Sequence, residues 1–474
     1  MFRISNLRQA ALFALLLATA TSCDVLTQDP PTALTEEDAF ANPDRISKSA
    51  IGMYDQLQNP EFLGGRALIY GDIRSDDTSP ATGFGNVPNF AQQANDVFAT
   101  NAWTGGYRTL YGANYFLQQI AKNPGRTTAA LESQYIGEAK FIRALVYFHL
   151  VNLFAQPYRF TADASHLGVS LQLTAPDAST AFDPSQNLAR SSVREVYEQI
   201  EKDLNDAITG LPETYATPFE RTSRATKDAA RTILSRVYLY KGQYAEAAAM
   251  ANNVITGGRR TLNASPALSF GLAAQTSENI FSVAHNSADN PNTNNALGQH
   301  YGRLRRGDII VTPYARIDST QFRSKDRRRT LLLDPVTTPT TVYTSKYPNS
   351  AFDNAPIARY SEVLLNRAEG LAQTNAAIST DAITLLNQVR RRSLPLIPAY
   401  ANFTAASFAT KQALIDAILF ERRLELAFEG HRYYDLMRYG RNSSRVNYGA
   451  DFAIFPIPLV DLQQNPNLVK NPGY

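Results

Sequence analysis

Two adjacent segments with helical periodicity, joined by a glycine, most constrain what this chain can fold into. Residues 226–240 and 243–256 repeat apolar side chains at helical spacing. Five positions carry the spacing of a tetratricopeptide helix pair: Leu234, Tyr238, Gly242, Tyr244 and Ala247. A glycine at the turn and alanines on the second helix allow two helices to pack closely. The pattern therefore predicts a helical hairpin, although the sequence lacks a regular repeat array.

Several other segments predict helices of the same scaffold. Ser192 and Glu195 have the spacing of a capping box and start an amphipathic helix that ends before Pro212. Apolar periodicity predicts the remaining helices at residues 35–58, 103–122, 132–154, 359–375, 380–392 and 411–428. Short extended runs such as residues 280–283 predict a few strands. The fold class is therefore mainly α, a scaffold of helix pairs with a few short strands.

Three long irregular segments interrupt this scaffold, at residues 60–101, 157–190 and 257–356. Loops of this length without secondary structure are uncommon in compact domains and are usually functional or disordered. They are the first places to look for a binding site.

The N-terminus has the pattern of an export signal. Arg3 and Arg8 precede an apolar run over residues 10–20, which is shorter than the roughly 20 residues of a membrane-spanning helix. Cys23, the only cysteine of the chain, follows directly, so no internal disulfide can form. We predict a signal peptide at residues 1–22 and lipidation of Cys23, as in a lipobox. The alternative is ordinary signal-peptidase cleavage that leaves Cys23 as a free thiol.

The charge of the chain argues against nucleic acid as a partner. The formal net charge is only +3, and that includes Arg3 and Arg8 of the predicted signal peptide. Basic runs at residues 303–306 and 323–329 are interleaved with aspartates. We interpret them as solvated or ion-paired surface rather than as a phosphate-binding patch.

Several blocks of the sequence resemble one family. The block at residues 421–438, Glu-Arg-Arg-Leu-Glu-Leu-Ala-Phe-Glu-Gly-His-Arg-Tyr-Tyr-Asp-Leu-Met-Arg, is similar to the C-terminal motif of SusD/RagB proteins. Residues 359–369 resemble their second hallmark, and residues 455–458, 465–468 and 471–474 resemble the way these chains end. Trp103 with Tyr111, Ala113 and Asn114, and the lipobox-like start, also match. The resemblance covers the chain that follows the predicted signal peptide.

The resemblance implies a fold and a role. It implies about four tetratricopeptide-like helix pairs in one domain, residues 23–474, with parts at about 24–256, 257–356 and 357–474. It also implies an outer-membrane lipoprotein that faces outward and captures a nutrient for a SusC-like TonB-dependent transporter. Most such ligands are oligosaccharides, whereas the RagB branch handles peptides. No cofactor is implied.

Three glutamates in the C-terminal motif could suggest catalysis. Glu421, Glu425 and Glu429 repeat every four residues, so a helix would stack them on one face. One interpretation is a glycosidase acid–base pair, or metal ligands with His431. We favour a structural ion network, because the number of nearby arginines matches the number of acids. The residues assigned to this structural motif are Arg359, Glu362, Glu369, Glu421, Arg422, Glu425, Glu429, Gly430, Arg432, Asp435 and Arg438, with Arg423 as a further partner.

Other motifs of metal or cofactor chemistry are missing from the sequence. The five histidines never fall at zinc-ligand spacing, and no nucleophile elbow, P-loop or dinucleotide fingerprint is present. Residues 289–295 are rich in Asn and Asp, but their order does not match an EF-hand loop. We predict no metal site, and the question of calcium at this loop stays open.

Aromatic side chains on glycine-rich loops are the predicted ligand contacts. A sugar stacks its apolar C–H face on an exposed ring, and nearby polar side chains hydrogen-bond its hydroxyls. The candidate residues are Tyr70, Arg74, Asp76, Asp77, Phe84, Asn86, Phe90, Tyr301, Tyr314 and Tyr343. Trp103 is also tempting as a sugar platform, but its place at a helix start favours a role in the core.

Four functions compete at this point. The leading one is a cell-surface glycan-binding protein that serves a transporter, and an oligopeptide binder is the alternative within the family. A glycoside hydrolase is disfavoured because no acid–base motif lies outside the arginine-matched helix. A tetratricopeptide scaffold for periplasmic proteins is the fourth, and the export signal disfavours a cytoplasmic scaffold. The sequence thus favours a binding protein that is not an enzyme.

Overall fold

A computed structural model describes residues 36–180, 183–271, 275–334, 336, 338, 340–395 and 397–474. The predicted signal peptide and Cys23 lie outside these residues. The helices, in chain order, are α1 (Glu36–Ala39), α2 (Pro43–Leu57), α3 (Arg66–Ile73), α4 (Val97–Lys122), α5 (Ala129–Phe154), α6 (Val193–Gly210), α7 (Pro218–Ser223), α8 (Lys227–Lys241), α9 (Tyr244–Thr256), α10 (Asn292–Asn295), α11 (Leu297–Tyr301), α12 (Thr312–Ala315), α13 (Arg329–Leu332), α14 (Tyr360–Thr374), α15 (Thr380–Ser393), α16 (Lys411–Glu425), α17 (Arg432–Arg438) and α18 (Leu459–Gln464). The strands are β1 (Asn279–Val283) and β2 (Ala355–Arg359).

The long helices pack one on the next along the chain. Helix α2 packs on α4, α4 on α5, α5 on α6, α6 on α8, and α8 on α9. Helix α9 then packs on α14, which contacts α15 and α16 across the long intervening segment. The predicted helix-pair scaffold is confirmed, and the buried apolar side chains form one cluster from Phe40 to Ile457.

Local signals set most helix ends where the sequence predicts them. Gly242 ends α8 in the left-handed conformation with φ of 76°, which glycine adopts at little cost. Ser192 and Glu195 form the predicted capping box of α6. The predicted first helix is instead divided into α1 and α2, because Pro43 cannot continue a helix and Asn42 caps a new one.

Strands β1 and β2 form a small antiparallel sheet that joins the irregular segment to the scaffold. Asn279 pairs with Arg359 and Val283 with Ala355, which confirms the predicted strand near residues 280–283. The pairing places Glu278 beside Arg359 at the start of α14. Among the described residues, no helix is both long and apolar enough to cross a membrane.

Helix α3 lies in a segment that was predicted to be irregular. All eight of its residues, Arg66–Ile73, are buried, so the helix has no polar face to give an amphipathic pattern. Gly71 allows this burial: a Cβ there would lie 2.2 Å from the carbonyl oxygen of Gly430. This close approach fixes α3 against the turn that follows α16.

Candidate functional site

Glu421, Glu425 and Glu429 are buried and bound by cations, but Glu429 lies in the turn after the helix, so the prediction that one helix stacks all three was wrong. Helix α16 ends at Glu425, and the chain turns at Phe428 and Gly430, which have φ of 62° and 80°. Glu421 accepts a hydrogen bond from Arg328 at 2.6 Å. Glu429 accepts from Lys346 at 2.6 Å and from Arg359 at 2.7 Å.

Arg359 is the centre of this network. Its guanidinium donates to Glu278 at 2.9 Å, to Glu425 at 3.0 Å and to Glu429, and Arg392 also pairs with Glu278 and Glu425. Burial acts to raise the pKa of Glu425, but Arg392 and Arg359 outweigh it and lower the pKa to about 2. These carboxylates are engaged by arginines and buried, which favours a structural over a catalytic role.

The cations of this network differ from the predicted ones. Of the five arginines expected to pair with the three glutamates, Arg359 alone does so among the described residues. Arg422 pairs with Asp435 at 2.8 Å and Glu362 at 3.5 Å, and Arg438 pairs with Glu369 and Asp435. Neighbours in a helix point to different faces, so Arg422 and Arg423 turn away from Glu421, and cations from distant segments take their place.

Two predicted ligand contacts, Asp76 and Asp77, are engaged in ion pairs, and their ligand role stays a prediction. Asp76 accepts two hydrogen bonds from Arg432, at 2.7 and 2.8 Å. Asp77 likewise accepts two from Arg423, the one from Nε at 2.8 Å. These pairs tie the segment after α3 to the C-terminal motif. Asp77 is buried, whereas Asp76 remains half-exposed.

The expectation that the loop aromatics are exposed was wrong for five of them: Tyr70, Phe84, Phe90, Tyr301 and Tyr314 are buried. The Tyr301 hydroxyl donates to Asp72 at 2.6 Å, and the ring of Tyr314 packs 5.0 Å from that of Phe428. The loop segments supply core residues that pin them to the scaffold, so these rings offer no free face to a sugar.

Arg74 is also buried, under three aromatic rings. Its guanidinium lies 4.3 Å from the ring centre of Tyr433, 5.0 Å from Phe455 and 5.4 Å from Phe90. It also donates to the carbonyl of Ala453. Cation–π contacts of this kind stabilise a buried guanidinium, and they leave it closed to a ligand in this conformation.

Two of the long irregular segments, residues 60–101 and 257–356, meet at the surface. The amide of Thr82 donates to the carbonyl of Asp308 at 3.1 Å, and His300 contacts the Asp308 carboxylate at 2.8 Å. Around this junction Asn86 is exposed and Tyr343 is half-buried. A ligand role for Asn86 and Tyr343 stays a prediction.

A polar groove lies elsewhere, where the first half of α4 faces the C-terminal segment. Its cavity has a volume of about 580 Å³, within the usual range of about 300–1,000 Å³ for small-molecule sites. The lining residues are Trp103, Thr104, Tyr107, Arg108, Ser170, Gln172, Gln186, Asn187, Leu188, Asp461, Gln464, Asn465 and Leu468. We call this the polar groove.

Hydrogen bonds hold the walls of the polar groove in place. The Asn465 side chain donates to the carbonyl of Leu188 at 2.9 Å, and that of Asn467 donates to Asn187 at 2.7 Å. The Tyr107 hydroxyl donates to the carbonyl of Ser170 at 2.8 Å. The C-terminal block at residues 465–468 thus builds one wall of the groove.

The floor of the polar groove is aromatic. Trp103 is only 5% exposed, and its ring lies 4.9 Å from Phe154, so its predicted core role fits its position. Tyr107 is half-buried, 4.6 Å from Trp103. Burial raises the pKa of Asp461, while a hydrogen bond from Trp103 acts to lower it. The Tyr107 ring can stack on a sugar. The nearby amides and the carboxylate can hydrogen-bond the sugar hydroxyls.

Sequence reasoning missed Tyr107, Asp461 and Gln464 as candidates. They are far apart in the chain, and only the fold brings α4 and α18 together. The sequence did contain one signal for this groove. Trp103 and residues 465–468, which lie on its two sides, both belong to blocks that resemble the family.

Two further grooves have other chemistry. One, of about 440 Å³, lies between α2, α7 and β1 and has apolar walls that include Ile51, Phe219 and Phe281. The other, of about 580 Å³, lies between α15 and α16 and is rich in arginine.

Metal-binding chemistry has little support in the described part of the chain. No group of three or more His, Cys, Asp or Glu side chains is placed there to hold an ion. In the Asn-rich loop, the side-chain oxygens of Asn290 and Asn292 accept hydrogen bonds from the backbone at 3.1 and 3.0 Å.

Comparison with known proteins is consistent with this architecture. Residues 28–239 match a SusD-like family described as starch-binding and associating with the outer membrane, and residues 336–474 match the SusD family. SusD-like protein P2 of Formosa agariphila is 26% identical, over 98% of this chain and 99% of its own length.

Solved structures share the fold. A SusD superfamily protein from Bacteroides fragilis is 26% identical with a TM-score of 0.79, covering 91% of this chain and 100% of that protein. A laminarin-binding SusD-like protein, 24% identical, has a TM-score of 0.71 over 91% of this chain and 100% of its own. With these matches and its helix-pair scaffold, the chain belongs to the SusD/RagB family.

Proposed function

We propose that this protein binds an oligosaccharide in the polar groove and delivers it to a TonB-dependent transporter of the outer membrane. One observation carries the proposal: an open groove in which the half-buried ring of Tyr107, backed by the core residue Trp103, lies among amide, hydroxyl and carboxylate side chains. This combination suits a neutral sugar, which has both an apolar face and many hydroxyls.

The relatives support the choice of ligand class. The family matched by residues 28–239 is described as starch-binding, and one structural relative binds laminarin. The buried, arginine-bound state of Glu421, Glu425 and Glu429 supports a binding protein rather than a hydrolase. A capture protein must also release its ligand, so we expect dissociation constants near the micromolar range, or about −8 kcal/mol.

Oligopeptide binding is the second candidate. The groove beside β1 has apolar walls, with Ile51 and Phe219 exposed at its rim, and could hold the apolar side chain of an extended peptide. Peptide binding that is lost on Phe219→Ala, without any glycan binding, would favour this function over the first.

The sugar site is tested by replacing Tyr107 with alanine. Calorimetry with maltoheptaose and laminarihexaose should detect binding of one of them to the wild type. Tyr107→Ala should weaken it about tenfold, or ~1.4 kcal/mol, because the stacking ring is lost.

Tyr111→Ala is the matched control for Tyr107→Ala. Tyr111 lies one turn further along α4 and is 43% exposed, but it does not line the groove. Its replacement should leave affinity unchanged. Equal affinities of the two variants, both folded, would reject the polar groove as the sugar site.

Attachment to the membrane is tested at Cys23. We expect Cys23→Ala to release the protein from membranes, because a lipid chain on this residue is the proposed anchor. Cell fractionation with salt and carbonate washes measures this. A Cys23→Ala variant that stays with the membrane would contradict lipid anchoring.

A further inference from the structure

The arginine-rich groove is a second concave site, distinct from the polar groove. Its volume is about 580 Å³. The lining residues are Thr320, Gln321, Arg323, Asp326, Arg328, Arg390, Leu394, Phe403, Asp416, Ala417, Phe420, Glu421, Leu424 and Arg441. We call it the cationic groove.

The acidic side chains of the cationic groove are already paired. Asp326 and Glu421 both bind Arg328, at 2.7 and 2.6 Å. Asp416 binds Arg441 at 2.7 Å. Each carboxylate that lines the groove therefore has an arginine partner, with Arg328 shared by Asp326 and Glu421.

Two further arginines have no such counter-ion. Among the residues that the structure describes, no carboxylate lies within ion-pair distance of Arg323 or Arg390. Arg390 is only 8% exposed, and within the described part of the chain its side chain donates to the carbonyl of Ala401 at 3.0 Å. A buried cation without a counter-ion is costly, and a bound anion would offset that cost.

The electrostatic surroundings of Arg390 point the same way. Burial lowers the pKa of Arg390; Glu421 acts against this, and Arg323 and Arg391 lower it further. Three arginines and one glutamate thus act on a guanidinium that borders an open cavity, so we expect a net positive potential beside it.

Aromatic rings line the same cavity. The Arg390 guanidinium lies 4.2 Å from the ring centre of Phe403, and Phe403 packs 5.2 Å from Phe408. Phe420 is half-buried on the opposite helix. Rings beside unpaired guanidinium groups suit a ligand that carries an anionic substituent on a ring with apolar faces.

We propose that the cationic groove binds an acidic sugar unit, through the carboxylate of a uronic acid or a sulfate ester, on Arg323 and Arg390. The cationic groove, rather than the polar groove, would then select charged glycans. A membrane surface is the poorer partner, because Arg390 lies inside a concave cavity rather than on an exposed basic patch. This proposal does not depend on sugar binding in the polar groove.

The test compares acidic and neutral oligosaccharides by calorimetry. Tetragalacturonate and a sulfated galactan tetrasaccharide are titrated against maltotetraose. We expect an acidic oligosaccharide to bind at least tenfold more tightly than maltotetraose. Arg323→Gln should weaken that binding at least tenfold, and higher salt should weaken it too.

Several controls separate the explanations. Arg327→Gln removes an exposed arginine that does not line the groove, and it should leave binding unchanged. Arg390→Met is a second variant that should weaken acidic binding. If Arg390→Met fails to fold, Arg323→Gln alone tests the proposal. Tyr107→Ala should not change the affinity for acidic ligands. A negative result for the polar groove would therefore leave the proposal for the cationic groove untouched.

Three outcomes would overturn the proposal. The first is that acidic and neutral oligosaccharides bind equally. The second is that Arg323→Gln and Arg327→Gln bind acidic ligands alike. The third is that no oligosaccharide binds, whereas phosphatidylglycerol vesicles bind and Arg323→Gln abolishes this binding. That result would assign the groove to lipid.

Discussion

Replacing Arg359 with alanine should lower the free energy of unfolding by about 3–5 kcal/mol. Arg359 is fully buried and donates to Glu278, Glu425 and Glu429. Its loss leaves three buried carboxylates with Arg392, Arg328 and Lys346 as their remaining cations. Urea denaturation monitored by circular dichroism measures the change.

Two variants control for volume and for exposed charge. Arg359→Met retains most of the side-chain volume and should still lose most of this stability, because the charge is gone. Lys48→Ala breaks an ion pair whose two side chains are each 74% exposed, so it should cost no more than about 1 kcal/mol. If Arg359→Ala were no more destabilising than Lys48→Ala, the structural role of the network would be wrong.

The second large effect is a pH dependence caused by Asp72. This buried carboxyl accepts hydrogen bonds from Tyr301 at 2.6 Å and from the amide of Gly430 at 3.1 Å. Burial raises its pKa to about 8, although both hydrogen bonds act to lower it. The carboxyl is thus protonated in the folded protein at a pH where the unfolded chain has released the proton.

A raised carboxyl pKa lowers stability as the pH rises. Below about pH 4 both states hold the proton, and between about pH 4 and 8 the folded state alone does. Each pH unit in this window therefore costs about 1.4 kcal/mol, and the loss levels off above the folded pKa of about 8.

Asp72→Asn should remove this loss. The difference in stability between Asp72→Asn and the wild type should shift in favour of the variant by up to about 4 kcal/mol from pH 5 to pH 8. The difference cancels other titrating groups such as Asp353, whose pKa burial raises to about 6. Parallel stability curves for the two proteins would show that Asp72 has an ordinary pKa.

The sequence predicted the scaffold well because its signals are local. Gly242 at a helix end and the capping box of Ser192 and Glu195 act within a few residues. Helix α3 was not predicted because it is buried on every side, whereas an amphipathic pattern needs one solvent-exposed polar face.

The candidate site could be predicted much less well. Tyr301 and Tyr314 lie on segments that were expected to expose their rings, yet partners distant in the chain, Asp72 and Phe428, bury them. The polar groove joins Tyr107 to Asp461, and the cationic groove joins Arg323 to Arg390. Such pairs depend on how helices meet, which no local pattern encodes.

The most direct test of the central claim is a crystal structure of the protein with the oligosaccharide that calorimetry identifies. We predict sugar density in the polar groove, with a ring against Tyr107 and hydroxyls near Asp461 and Gln464. Density at the junction of Asn86 and Tyr343, with the polar groove empty, would contradict this account.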